Sequence, residues 1–270
     1  MKKVPLRTRE VKSYLIPYGG LPRPVYWFND SFAAGTWSDR HRHDGWGELV
    51  YMASGKMVVC TALGNFLVPP QRMVWIPPGM SHEWYLPDAT NDRSLFIDPS
   101  VLPCDSHFSR FCALAVTPLV RELILELEHL PRDYGEGPDA RLVQTLLDQL
   151  AKLTEVSLTL QLPSDRRLLQ LCASLLNTPD STKTLSQWSH ELGMSERNLG
   201  RLFQRQTGET PGRWRHRARL AHARERLEAG ESVTLAALEA GYASVSAFIA
   251  AFRKLYGHTP GAVQDTPPIR

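Results

Sequence analysis

The spacing of hydrophobic residues changes along the chain, and each change predicts a different kind of secondary structure. Between residues 20 and 100, runs such as GELVYMASGKMVVC and GNFLVPPQRMVWIP are rich in Val, Tyr, Phe, Trp and Ile and are separated by Gly and Pro. Such runs in succession, without a helical pattern between them, predict a β-barrel or sandwich. From Arg166 onward the spacing is helical almost throughout. We therefore predict an α+β multidomain protein with an all-α C-terminal part.

Two helices are predicted between these parts, over TPLVRELILELEHL (117–130) and ARLVQTLLDQLAKL (140–153). Their apolar positions are Leu119, Leu123, Leu125, Leu127 and Leu130 in the first, and Leu142, Val143, Leu146, Leu147 and Leu150 in the second. These faces either pack on the strand-rich part or pair across a homodimer. We expect the dimer, because a free barrel needs little such covering. Residues 154–165 are predicted to form a linker.

The C-terminal part contains an internal repeat at an offset of 49 residues, between SERNLGRLFQRQTGETP (195–211) and SVSAFIAAFRKLYGHTP (244–260). Each copy begins with a serine suited to cap a helix and ends at a glycine suited to follow one. A short helix precedes each copy, with a face of Leu185, Trp188 and Leu192 in the first and Leu235, Leu238 and Tyr242 in the second. A short helix, a glycine turn and a longer helix form a helix-turn-helix. The chain is therefore predicted to carry two of these units.

A helix-turn-helix places its second helix in the major groove of DNA. If Leu199, Leu202 and Phe203 face inward in the first copy, six residues face outward: Glu196, Arg197, Gly200, Arg201, Gln204 and Arg205. Arginine suits bidentate contact with guanine, and glutamine suits adenine. The second copy has few side chains able to hydrogen-bond to base edges, so we predict that the first copy carries most of the direct readout.

Charge supports a nucleic-acid partner for the C-terminal part. Residues 165–270 contain 15 basic and 10 acidic residues, a net charge of +5, whereas residues 1–164 have a net charge of −2. The connector PGRWRHRARLAHARERLEAG (211–230) carries six arginines, which either contact phosphate or form ion pairs with Glu225 and Glu228. The start of the chain has no apolar run typical of a secretory signal, and no segment is apolar enough to span a membrane. With four scattered cysteines, a cytoplasmic location is expected.

A second group of functional residues lies near the N terminus, in GTWSDRHRHDGWGELVYMASG (35–55). His41 and His43 are separated by one residue, and Glu48 follows five residues after His43. Alternate residues of a strand point to the same face. Two imidazoles and a carboxylate gathered in one short segment are metal-type ligands and indicate a candidate metal or ligand site. The candidate aromatic lining of an effector pocket is Trp46, Tyr51, Trp75 and Trp84, although ordinary core packing is favoured for at least two of them.

The C-terminal motifs resemble the DNA-binding domain of AraC/XylS-type transcription regulators over about residues 165–263. The resemblance rests on GMSERNLGRLFQRQTGETP, the arginine-rich connector and GYASVSAFIAAFRKLYGHTPG, which occur in that order. It implies seven helices and base-reading positions at Arg197, Gly200 and Arg201 in the first unit. In the second unit it implies Val245, Ser246, Ala247 and Ala250; Arg253 and Lys254 are candidates for phosphate contacts.

The N-terminal motifs resemble the cupin barrel. The first has the spacing G-x5-H-x-H-x4-E-x6-G from Gly35 to Gly55, and the second has Pro77-x-Gly79-x2-His82. By this resemblance the metal ligands are His41, His43, Glu48 and His82, and three imidazoles and a carboxylate suit Fe, Mn, Ni, Cu or Zn. The second motif departs from the pattern, because Gln71 stands where a glycine is expected and Leu86 where an asparagine is expected. The site therefore holds one divalent transition metal, or binds an organic effector without metal, or is a structural cluster.

Together these observations predict a one-component transcription regulator and not an enzyme. We expect a cupin-like sensor over 1–110, a helical dimerisation region and linker over 111–164, and the DNA-binding domain over 165–263. The expected partners are double-stranded DNA, a small-molecule effector and a second copy of the chain, with RNA polymerase as a further candidate. A cupin dioxygenase or isomerase is the alternative from another class, but it has no need of two recognition helices. A purely architectural DNA protein has no need of the pocket motif.

Overall fold

The structure is a computed structural model that describes residues 10–11, 20–70, 72–103, 107–156 and 160–264. It divides into two units, Met1–Leu158 and Thr159–Arg270. Helices predicted as a separate dimerisation region belong to the first unit. Residues 157–159 of the predicted linker lie outside the described residues. Among the described helices, none is long and apolar enough to cross a membrane.

The first unit contains twelve strands within its described residues. They are β1 (Glu10–Val11), β2 (Val25–Trp27), β3 (Asp30–Phe32), β4 (Trp37–Ser38), β5 (Gly47–Ser54), β6 (Met57–Thr61), β7 (Gly64–Val68), β8 (Arg72–Ile76), β9 (His82–Tyr85), β10 (Thr90–Asp92), β11 (Leu95–Ile97) and β12 (Cys112–Ala115). One sheet has the order β1-β4-β9-β6-β7, and the other has β12-β8-β5-β10-β3, with β11 joining β5 to β2. Apart from the parallel pair β1–β4, the pairings are antiparallel. The strand-rich N-terminal part is thus confirmed as two sheets.

Alternate residues of β5 belong to two different hydrophobic clusters. Val50 and Met52 pack with β6, β8 and Trp84 of β9. Leu49 and Tyr51 pack in the other cluster, which contains Trp75 of β8. Because both faces of β5 are covered, the strand is a nearly continuous run of buried residues and lacks a polar face.

The two helices of the first unit are α1 (Pro118–Glu126), followed by a 3₁₀ turn at Leu127–His129, and α2 (Pro138–Leu150). They cover the outer face of β5 and β8, since Val120, Ile124, Val143, Leu146 and Leu147 share one cluster with Tyr51 and Trp75. The buried face of α1 therefore contains Val120 and Ile124, whereas Leu119 is 53% exposed. The expectation that these leucine faces pair across a dimer is wrong for the residues buried here, because the faces pack within the chain.

The described ends of the predicted linker are held in place. Thr154 and Val156 exchange backbone hydrogen bonds with Ala115 and Ala113 of β12. Leu160 and Leu162 are buried in the second unit, where the carbonyl of Gln161 accepts a hydrogen bond from Trp214 Nε1 at 2.8 Å.

The second unit is helical throughout its described residues. Its helices are α3 (Arg166–Asn177), α4 (Leu185–Glu191), α5 (Glu196–Thr207), α6 (Pro211–Glu228), α7 (Val233–Glu239), α8 (Val245–Tyr256) and α9 (Gly261–Gln264). The predicted pairs α4–α5 and α7–α8 are in contact, and α6 contacts α3, α5, α7 and α9. The two short helices differ in how they are buried. Trp188 of α4 is buried as predicted, but Leu235 and Leu238 of α7 are 41% and 67% exposed, and α7 is anchored by the smaller Ala236 and Ala237.

Candidate metal centre and nucleic-acid interface

The four predicted metal ligands come together in the first unit. One donor atom from each of His41, His43, Glu48 and His82 can be chosen so that all four lie within 4.8 Å of one another. Ligands around a transition metal at 2.0–2.2 Å are separated by roughly 3–4.4 Å, so only a small inward movement would be needed. Among the described residues these four can therefore form a coordination sphere.

Each ligand is positioned by backbone that the two sequence motifs determine. Glu48 lies on β5 between β8 and β11, opposite Ile76 and Phe96. His82 opens β9, and its backbone exchanges two hydrogen bonds of 2.8 Å with His41. The carbonyl of His43 accepts from the N–H of Gly79 at 2.6 Å, and Gly79 has a φ of +78° that favours glycine. The first motif is thus held against the turn of the second.

Glu48 is the electrostatic centre of the cluster. Its Oε2 lies 2.9 Å from Nε2 of His82 and 3.4 Å from Nε2 of His43. Burial alone raises the pKa of Glu48, but the close approach of the His43 and His82 imidazoles outweighs burial and holds this pKa below its ordinary value. The carboxylate is therefore ionised and available to a cation.

The histidines are oriented by hydrogen bonds on their outer nitrogens. Nδ1 of His82 donates to the carbonyl of Met80 at 3.0 Å, and Nδ1 of His41 donates to the carbonyl of Asp39 at 2.9 Å. Ligating histidines usually donate their second ring nitrogen in this way, which leaves Nε2 to face the metal. Burial lowers the pKa of His82, but the hydrogen bond to Glu48, the negative charge of Glu48 and the hydrogen bond to Met80 together raise this pKa above its ordinary value. Burial, followed by repulsion from His82, lowers the pKa of His41.

His43 has a buried Nε2 without a hydrogen-bond partner of good geometry. Its ring is stacked on Trp46 at 5.9 Å and meets the edge of Phe96 at 5.2 Å. A buried nitrogen without a partner costs free energy, and a metal would remove that cost by taking the lone pair. This orphaned nitrogen and the donor set together fit a divalent transition metal.

The four aromatic candidates for an effector pocket fall into two groups. Trp46 is stacked on His43, and Trp84 lies on the same strand face as His82 and packs against Phe32 at 5.4 Å. Tyr51 and Trp75 instead lie in the cluster with α1 and α2, where Trp75 Nε1 donates to the carbonyl of Phe108. Tyr51 and Trp75 thus do not line the space around the histidines, because they alternate with Glu48 and Ile76 and point to the opposite face. Phe96, which was not predicted, contacts the cluster.

The first helix-turn-helix presents the predicted basic surface. Thr184 and Gln187 form a reciprocal cap at the start of α4, Gly193 turns the chain at a φ of +64°, and Ser195 caps α5. Leu199 and Phe203 are buried, which leaves the other side of the helix to solvent. Five predicted DNA-contacting side chains are exposed: Glu196, Arg197, Arg201, Gln204 and Arg205; Gly200 is partly buried.

The second helix-turn-helix has the same kind of helix caps as the first but a different exposed surface. Ser244 caps α8, and Gly257 ends it in the left-handed region. Ser246, Ala247, Ala250, Arg253 and Lys254 are exposed, and Val245 is partly buried. Only small side chains stand at the predicted base-reading positions, whereas the two cations lie near the C-terminal end of the helix. This chemistry favours phosphate contact over base readout.

Most arginines of the connector have partners within the second unit. Arg217 pairs with Glu209, Arg224 pairs with Glu228, and Arg226 pairs with Glu231 and Glu239. Arg215 and Arg219 donate to backbone carbonyls of the loop before α4. Arg213 is exposed and is the connector arginine best placed to reach a phosphate. Of the expected ion pairs with Glu225 and Glu228, the pair with Glu228 is confirmed, through Arg224. Arg217 and Arg226 pair with other glutamates than those expected.

Known proteins resemble this chain in its helix-turn-helix region and along most of its length. A family described as "Helix-turn-helix domain" matches residues 188–266. The HTH-type transcriptional regulator NimR of Escherichia coli is 33% identical over 222 residues, which cover 82% of this chain and 80% of NimR. The regulator ExsA of Pseudomonas aeruginosa is 26% identical over 79% of this chain and 76% of its own length.

A solved AraC-type regulator from Chromobacterium violaceum is 23% identical over 38% of this chain and 96% of that chain, with a TM-score of 0.36. The long match to NimR, which spans both units, favours a regulator over the alternative of a cupin metalloenzyme. The chain therefore belongs to the AraC/XylS family and is a DNA-binding transcription regulator.

Proposed function

We propose that this regulator senses a ligand through a divalent transition metal held by His41, His43, Glu48 and His82. The observation that carries the proposal is the convergence of four donor atoms within 4.8 Å, three from imidazoles and one from an ionised carboxylate. Such a donor set selects transition metals over Ca²⁺ or Mg²⁺, which take oxygen ligands. A bound metal would supply a Lewis-acid centre with positions open to an effector.

The surrounding residues support this proposal. Glu48 belongs to one sheet and His82 to the other, so the site would join the two sheets. The interior between them is apolar, with Val50, Val59 and Val74 fully buried. This arrangement is consistent with a cupin-like barrel that has its site at one end. Trp46 and Trp84 are the aromatic side chains expected to contact an effector.

The second part of the proposal assigns base readout to α5. Arg197, Arg201 and Gln204 would contact base edges, with Glu196, Gly200 and Arg205 beside them. The second recognition helix would contribute Val245, Ser246, Ala247 and Ala250 against the groove, and Arg253 and Lys254 against phosphate. A regulator of this kind acts where the chromosome is, so it would be cytoplasmic.

We further propose that the protein acts as a homodimer whose two DNA-binding units bind neighbouring half-sites. The interface would use other surfaces than the buried faces of α1 and α2. Leu119, at 53% exposure, is one apolar position left for it. Effector binding would change how the units are presented to DNA and, at a promoter, to RNA polymerase.

The metal content of the full-length protein, purified without added metal or chelator, tests the sensing proposal. Near-stoichiometric metal that is lost in His41→Ala and His82→Ala is the expected result. His129→Ala is the matched control, because His129 is an exposed histidine of the same unit. A site that stays empty after Zn²⁺, Ni²⁺ and Fe²⁺ are offered would overturn the metal proposal and would assign the histidines to an organic-ligand pocket.

A further inference from the structure

Two arginines of α6 hold the loop that leads into the first helix-turn-helix. Arg219 Nε donates to the carbonyl of Pro179 at 2.6 Å, and its Nη2 donates to the carbonyl of Ser181 at 3.3 Å. Arg215 Nη1 donates to the carbonyl of Lys183 at 2.9 Å, immediately before Thr184 caps α4. We call the segment 178–183 the lead-in loop. Two guanidinium groups thus bind three of its backbone carbonyls.

The same loop also touches the turn of the second helix-turn-helix. Gly241 lies between α7 and α8 with a φ of +73°. A Cβ placed on Gly241 would lie 3.0 Å from Cα of Asp180 in the lead-in loop, and 3.2 Å from Nη2 of Arg219. These separations are tighter than ordinary van der Waals contact, so the glycine lets the backbone, the guanidinium and the loop meet.

Neighbouring contacts also connect α6 to the second helix-turn-helix. Tyr242, the residue after Gly241, places its hydroxyl 3.4 Å from Nδ1 of His216 on α6. Its ring also meets the edge of Phe248 in the core of α8, with centroids 5.4 Å apart. The lead-in loop, Arg219 and the start of α8 are therefore linked by consecutive contacts, and at Gly241 a side-chain methyl group would be in tight contact with both Asp180 and Arg219.

We propose that Arg219 and Gly241 set the distance and angle between the two recognition helices, so that Arg219 determines the spacing of the DNA sites that the protein accepts. The two helices belong to separate helix-turn-helix units, and each alone could pivot on α6. Arg219 binds the lead-in loop of the first helix-turn-helix and lies against Gly241 in the turn of the second, and these contacts remove that freedom. Its fork geometry matters as well as its charge, since a lysine ammonium cannot hold two carbonyls in the same fixed plane.

Arg219 is therefore a positioning residue. Its side chain is partly buried and its guanidinium is engaged with backbone carbonyls, whereas the predicted base-reading side chains Arg197 and Arg201 are exposed. We call the stretch of DNA that each helix-turn-helix contacts a subsite, and the first subsite is the one contacted by α5. Loss of Arg219 should leave the sequence preference at the first subsite unchanged. It should relax only the requirement for a fixed spacing between the two subsites. A general loss of protein stability would instead weaken binding to all of these DNAs by a similar factor.

The test uses the full-length protein and a double-stranded DNA selected from a random-sequence duplex pool by the wild type. The selected DNA is then remade with one base pair inserted or deleted between its two subsites, and also with the first subsite alone. Dissociation constants are measured for the wild type, Arg219→Lys, Arg219→Gln and Arg213→Gln. The last variant is the control, because Arg213 is exposed on the same helix and can affect phosphate contact at any spacing.

We expect the wild type to lose about tenfold or more in affinity for either altered spacing, a penalty similar to that of a mismatched base pair. Arg219→Lys and Arg219→Gln should lose less than about threefold, with affinity for the first subsite alone unchanged. Arg213→Gln should weaken all the DNAs by a similar factor. Unfolding temperatures would verify that the Arg219 variants are folded.

Three results would overturn the proposal. The Arg219 variants could keep the wild-type spacing penalty, or the wild type itself could bind altered spacings as well as the selected one. Loss of binding to the first subsite alone in both Arg219 variants would assign Arg219 to the general stability of the domain.

Discussion

Nε2 of His82 donates a hydrogen bond of 2.9 Å to Oε2 of Glu48, and this contact joins the two β-sheets of the N-terminal unit. Nδ1 of the same ring faces the carbonyl of Met80, so both ring nitrogens face oxygen acceptors, an arrangement that favours the protonated imidazole. A metal at this site would take the place of the proton on Nε2. Under the proposed function, the metal ion would therefore exchange with a proton at this pair.

Glu48→Gln should abolish metal-dependent stabilisation. Ligand binding at 100 times the dissociation constant raises the free energy of unfolding by about 2.7 kcal/mol. Zn²⁺ should therefore raise the unfolding temperature of the wild type but not of Glu48→Gln. Glu136→Gln, at an exposed glutamate of the same unit, should respond as the wild type does. Equal stabilisation of all three proteins by Zn²⁺ would place the metal elsewhere.

Stability should fall as the pH rises towards neutrality, because of Asp92. Burial raises the pKa of this carboxyl to about 7 in the folded chain, against a more modest opposing effect of its hydrogen bonds with Ser94. The unfolded chain releases the proton near the ordinary pKa of 3.8. The folded state therefore binds more protons between these two values, and the free energy of unfolding decreases with pH across this window by roughly 4 kcal/mol.

Asp92→Asn should remove this slope and should be more stable than the wild type at pH 8. Urea denaturation at several pH values, with chelator present, measures it. The variant Asp133→Asn changes an exposed carboxyl of the same unit and should keep the wild-type slope. An Asp92→Asn protein with an unchanged slope would show that another buried group is responsible.

Arg197→Ala and Arg201→Ala should each cost about 1–3 kcal/mol of specific DNA binding and should relax the sequence preference at one position. Both side chains are exposed on α5 above the buried Leu199 and Phe203. Lys254→Ala should instead weaken binding similarly for all sequences and reduce its salt dependence, as expected for a phosphate contact. Binding to the selected DNA and to single-base variants of it measures both effects. A larger change in specificity from a substitution at Ala250 would contradict the assignment of base readout to the first helix-turn-helix.

Gly47→Ala should destabilise the first unit by about 1–3 kcal/mol, as overpacking of a core usually does. The added Cβ would lie 2.1 Å from Cη2 of the Trp75 ring. Combining it with Trp75→Phe should cost less than the sum of the two single changes, because the smaller ring withdraws from that space. Denaturation of the two single variants and the double variant would reveal the coupling, and strictly additive costs would show that the clash is relieved in another way.

Features that depend on short-range chemistry can be predicted from the residues alone. The bounds of α5 and α8 follow from Ser195 and Ser244 at the starts and Gly208 and Gly257 at the ends, since these residues cap a helix through their own side chains or backbone freedom. The four candidate metal ligands were predicted from the resemblance of two short motifs to the cupin barrel, and the structure brings them together.

Which face of each element is covered depends instead on packing between elements that are distant in the sequence. β5 and β8 are apolar on both faces, so their pattern does not tell whether Tyr51 and Trp75 point to the histidines or to α1 and α2. On α7, leucines are exposed and alanines are buried, because the helix packs closely and leaves room only for small side chains. Nor does the sequence distinguish Arg219 from the other connector arginines. Its role depends on backbone carbonyls of a loop about 40 residues away, brought within reach only by the fold.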